Sequence, residues 1–116
     1  MKTAEAGRIG EALAERALKK AGMRTLAKNY RFGHCELDLV MQEKQSGTIV
    51  FVEVKARSGN MLGLPREAVG PKKQALLRRA AQGFLIEQQM PDAPCRFDVV
   101  EVFLDENRIE RIENAF

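Results

Sequence analysis

The chain has 116 residues, enough for one ordinary domain with a single core. With 45% apolar and 30% charged residues it should fold rather than stay disordered, and no apolar run approaches the length of a membrane span. A net charge of +3 permits a nucleic-acid partner without requiring one. The opening stretch, Met1 to Gly7, lacks the apolar run of a secretory leader, so a cytoplasmic location is expected.

Ile9, Leu13 and Ala17 recur at helical spacing, with Ala14 and Leu18 widening the stripe, and predict a first helix from Gly10 to about Lys20. Lys19 and Lys20 suit the negative end of its dipole, and Gly22 suits the cap beyond it. Met23 to Arg31 is an equivocal strand. Gly33-His34 reads as a turn, Glu36 to Gln42 as a strand, and Lys44 to Gly47 as a hairpin turn. Thr48 to Lys55 is filled by β-branched and aromatic residues and gives the clearest strand signal. Ala56 to Gly70 reads as a long loop, and loops of that length in small domains are more often functional than idle. Pro71 is well placed to open a helix running to about Met90, with Leu77, Ala81, Phe84, Leu85 and Gln88 on its inner face. Arg96 to Leu104 alternates as a strand, and Arg108 to Ile112 forms a short last one. This order implies an α/β fold with one mixed central sheet flanked by helices, residues 1–116 forming a single domain.

Two of these strands carry charge that needs a reason. Alternation puts Asp38 on one face with Glu36 and Val40, and Glu53 on one face with Lys55, Phe51 and Ile49. Pairing through the Lys44–Gly47 turn brings Asp38 and Glu53 together near one end of the hairpin. Two close carboxylates repel unless one is protonated or a cation intervenes, and Mg²⁺ or Mn²⁺ prefers such oxygen ligands. The Val54 carbonyl is a further candidate ligand. Lys55 is placed to orient an attacking water or to meet charge developing on a phosphate. The plain alternative is a half-buried strand with Glu53 and Lys55 in solvent.

Glu11, at the edge of the helical stripe, is a candidate outer ligand; the alternative is a first-turn acid favouring the helix dipole. Gln74 lies on the inner face of its helix, where an unpaired amide is costly, so it should meet the lysine, a phosphate, or the helix start as a cap. Arg57, Arg66, Lys72, Lys73, Arg78 and Arg79 form a candidate surface for a nucleic-acid backbone, extended by Arg8, Lys28 and Arg31. A solvated helix face is the competing reading. Tyr30 and Phe32 are isolated, so no aromatic platform for single strands is evident. Cys35 reads as a turn thiol and Cys95 as a core thiol; a zinc site from His34, Cys35 and Cys95 would lack the usual four ligands.

The residues Gly10-Glu11, Asn29-Tyr30-Arg31, Glu36 to Val40, Phe51 to Arg57, Lys72-Lys73, Arg96 to Val100 and Ile112 to Phe116 resemble the YraN-like family of small bacterial proteins. That family is similar to archaeal Holliday-junction resolvases and to the wider PD-(D/E)xK, restriction-endonuclease-like superfamily. The resemblance implies a restriction-endonuclease-like core, metal binding by Asp38 and Glu53, and Lys55 as the catalytic lysine. It matches Glu11 to the acid of the first helix and Gln74 to a glutamine found in some resolvases. It also implies DNA as the partner, with branched or junction-like substrates and a two-fold dimer. Cys35 departs from the family, which usually has glycine there, and is expected to stand clear of the ligands. Metal-dependent DNA hydrolysis is thus the first reading. A non-catalytic nucleic-acid binder on the same fold is the second, and a structural or protein-interaction domain the third.

Overall fold

A computed structural model of the chain describes residues 3–57 and 69–116. Its elements run α1 (Thr3–Lys20), β1 (Met23–Phe32), β2 (Cys35–Glu43), β3 (Ile49–Arg57), α2 (Pro71–Glu87), β4 (Cys95–Phe103) and β5 (Arg108–Ile112). The five strands form one sheet in chain order. All pairs are antiparallel except β3 with β4, which are parallel and joined through α2. Such a crossover is what parallel neighbours require. Gly22, Gly33 and Gly47 all adopt positive φ at the turns, where a Cβ would be strained.

The apolar run of β3 is buried on both faces. Ile49 and Phe51 pack under α2 with Leu37, Val40, Leu77, Phe84 and Phe97. Val50 and Val52 pack under α1 with Ala14, Leu18, Leu39, Met41, Val100 and Val102. Helix α1 approaches closely: a Cβ added at Gly10 would lie 2.9 Å from the Ala56 methyl. The buried stripe of α1 is therefore Gly10, Ala14 and Leu18, one position on from the predicted Ile9, Leu13 and Ala17, and Ile9 is 41% exposed. The helix also begins earlier than predicted, at Thr3, so Glu11 lies well past the first turn, whose acid is Glu5. Its dipole explanation fails. Gln88, expected inside, is exposed, and so is Cys95, expected in the core. Among the described residues no helix is long and apolar enough to cross a membrane.

Candidate functional site

An irregularity in the sheet builds the site. Regular pairing of β2 with β3 ends at Leu39 with Val52, so the next step along would set Asp38 opposite Glu53. There the strands part. Leu37 and Val40 both pack under α2 while Leu39 packs under α1, so the alternation of β2 slips at Asp38. On the other side, β1 pairs Lys28 with Leu39 and Tyr30 with Leu37 but skips Asn29, whose φ is +52°. Asn tolerates this left-handed conformation better than most residues. The fork lets the Asp38 side chain enter the gap, where its Oδ2 accepts the Val54 N–H at 2.8 Å.

Glu53 alternates with Phe51 and so points toward α2. It is 8% exposed, and its Oε2 is buried with no hydrogen-bond donor. Lys73, from the first turn of α2, pairs loosely with it, its Nζ 3.8 Å from that oxygen. Burial, together with a hydrogen bond to and the charge of Glu53, pushes the Asp38 carboxyl up to about 7; the Val54 N–H and Lys73 pull the other way. Asp38 and Glu53 wall an open cavity of about 540 Å³ with His34, Cys35, Glu36, Gly70, Lys72, Lys73 and Leu76. Helix α2 begins at this wall behind Gly70, without a side-chain cap.

A second layer of acids adjoins the cavity. Asn29 donates from its amide to Glu11 and to Glu36, at 3.0 Å each, tying the first helix to the second strand. Burial raises the Glu11 carboxyl against the pull of that hydrogen bond, and the charges of Asp38 and Glu36 add to the rise. Cys35 sits nearby. It lines the same cavity, and its thiol is pushed up by burial and by Glu53.

The remaining predicted residues are scattered. Lys55 is half-buried and shares the Glu53 face by alternation, but lies outside the cavity wall. Gln74 does not line the cavity: its amide donates to the Val69 carbonyl at 2.7 Å, tying the segment that enters α2 to the first turns of the helix and leaving the helix start without a side-chain cap. Arg57 pairs with the buried Glu101 at 3.6 Å. The Arg78 guanidinium lies over the Phe97 and Phe116 rings, at 5.3 and 5.6 Å. Lys28 pairs with Glu15 and Arg31 with Glu36. Arg8 and Arg79 are exposed. Arg66 lies outside the described residues. Among the described residues of the expected basic surface, Lys72 and Lys73 line the cavity beside the carboxylates, and Lys73 pairs with Glu53. Cys95 is level with Ile49, at the far end of β3 from Cys35, so the zinc alternative has no geometry.

The profile of the uncharacterised protein family UPF0102 matches residues 10–102, a span holding every residue of this site. The chain belongs to that family. A UPF0102 protein of Clostridioides difficile is 40% identical over 116 residues, covering the whole of both chains. One from Alkaliphilus oremlandii is 46% identical over 114 residues, 95% of this chain and 96% of that one. A third, from Oleidesulfovibrio alaskensis, is 50% identical over 95 residues; these are 82% of this chain but 46% of a longer relative.

Asn29 is the residue that sequence reasoning quoted without a role. A β-breaking amide between Lys28 and Tyr30, inside an otherwise extended run, was the available signal. Lys73 was expected on a phosphate, and its contact with Glu53 bridges twenty positions that no local pattern links. Among the described residues, no three His, Cys, Asp or Glu side chains gather round one point as a ready metal cage. Two carboxylates with an undonated buried oxygen nevertheless suit a hard cation, because Mg²⁺ is commonly held by one or two carboxylates, with water and substrate phosphate completing the shell.

Proposed function

We propose that the protein is a Mg²⁺- or Mn²⁺-dependent nuclease hydrolysing DNA phosphodiesters on a restriction-endonuclease-like core. The observation that carries this reading is the touching Asp38–Glu53 pair, with one Glu53 oxygen buried and undonated, opening on a cavity edged by Lys72 and Lys73. A buried carboxylate oxygen without a donor costs free energy, and that cost is recovered when a cation fills the gap. Asp38 and Glu53 would hold the ion, with the Val54 carbonyl as a further ligand. Val54 keeps Asp38 aimed by donating its N–H. The ion would supply positive charge that polarises the phosphoryl group and acidifies the attacking water. Lys55, on the Glu53 face, is assigned to orient that water, and Lys72 with the uncapped start of α2 to bind the phosphate. Glu11 acts from the outer layer through Asn29. Gln74 acts by shaping the start of α2 rather than by touching substrate. A two-fold dimer would supply a second active site for a branched substrate.

Cleavage of branched, nicked and linear DNA with Mg²⁺ or Mn²⁺ tests this directly. Asp38→Asn should lower the rate by about 100-fold or more while leaving DNA affinity within a few-fold. DNA bound in a salt-dependent way, with no turnover by the folded wild type in either metal, would replace hydrolysis with the non-catalytic binder.

A further inference from the structure

We propose that Lys73 is the resident counter-ion of the carboxylate pair, competing with a divalent cation for Glu53 and leaving when the ion binds. This rests on the metal reading of the site given above. Three observations support it.

The contact is loose. At 3.8 Å the Lys73 ammonium is too far from Oε2 to donate a hydrogen bond, and that oxygen remains undonated although it is buried. Lys73 supplies charge there without closing the site.

The lysine is also free to move. Its side chain is 51% exposed, while that of Glu53 is 9% exposed, so the acid is fixed and the base can swing into the cavity.

Its place on the helix is otherwise unfavourable. Lys73 lies in the first turn of α2, which has no acid of its own and starts from an uncapped Gly70. Positive charge at a helix N-terminus opposes the dipole. The compensating negative charge comes from Glu53 and Asp38 across the cavity. A lysine held by that charge at a distance, without a hydrogen bond, will be displaced by a stronger cation on the same oxygen. It then faces a cavity already edged by Lys72.

Calorimetric titration of Mn²⁺ into wild type, Lys73→Met, Lys73→Arg and Lys72→Met, without DNA, is the test. Lys73→Met should bind Mn²⁺ about fivefold tighter or better, because the competing charge is gone. Lys73→Arg should stay near wild type, and Lys72→Met should change by less than twofold. Equal or weaker Mn²⁺ binding by Lys73→Met, in proteins that all bind the ion, overturns the role of Lys73 and leaves the metal site standing. Binding by none of the four overturns the metal reading, and this inference with it.

Discussion

Two of the acidic sites buried in this sheet are treated in opposite ways. Asp98, on β4, is 0% exposed and fully supplied. Arg96 donates to its two oxygens at 3.0 and 3.2 Å, and the Asn114 N–H donates at 2.9 Å. Arg96 in turn reaches Glu43 at 3.2 Å, so the network ties β2, β4 and the chain beyond β5 together. Among the described residues, the Asp38–Glu53 pair has one backbone donor, one distant ammonium and an undonated oxygen. A buried carboxylate with its donors in place holds a fold together. One that lacks them is a cost, and a protein retains such a cost where something is to bind.

Substitution should separate the two sites by sign. Asp98→Ala takes the buried partner from the half-buried Arg96 guanidinium, which keeps Glu43, and frees the Asn114 amide, so it should cost about 3 kcal/mol in chemical denaturation at neutral pH. Glu53→Gln at pH 8 removes a repulsion and only a loose, half-exposed ion pair, so stability should hold or rise by up to about 1 kcal/mol. Equal losses at both sites would mean that Asp38 and Glu53 are structural in the same sense as Asp98.

Strand β3 was legible because burial on both faces demands an unbroken apolar run, and Ile49 to Val52 can be little else. The meeting of Asp38 and Glu53 was legible for a related reason: a short hairpin turn fixes register. The fork that admits Asp38 was not, since it depends on Asn29 leaving extended geometry on a neighbouring strand. The role of Gln74 was misread because a polar residue on an inner helical face has two explanations. The local one holds here, because the Val69 carbonyl just ahead of the helix accepts the amide. Asp98 drew no comment as a buried acid because its partners, Arg96 and Asn114, are recognisable only once β5 turns back along β4.

A second test uses pH. Folding raises the Asp38 carboxyl from an ordinary value near 3.8 to about 7. Between those values the folded protein holds a proton that the unfolded chain has released. The contribution of Asp38 is therefore fully present below about pH 4, and is lost as pH rises through about 7. Cation-free wild type should fall behind Asp38→Asn by about 2–4 kcal/mol as the pH is raised across that window, read by denaturant midpoints. Mn²⁺ at pH 8 should close the gap by stabilising wild type alone. A gap that stays constant with pH would show that solvent or a cation already neutralises the pair.

The smallest effect should come from Asn29, and it asks whether the outer acids belong to the same site. Two properties are combined in this residue: a left-handed backbone, and an amide shared between Glu11 and Glu36. Asn29→Gly keeps the first and loses the second; Asn29→Ala loses both. The backbone alone should cost Ala about 1 kcal/mol relative to Gly. Loss of the amide leaves Glu11 and Glu36 without their shared donor, close to Asp38, so both variants should bind Mn²⁺ with changed affinity even where Gly preserves stability. If Asn29→Gly matches wild type in both stability and Mn²⁺ affinity, the bridge only decorates the break in β1. The functional contrast with Asp98 then belongs to Asp38 and Glu53 alone.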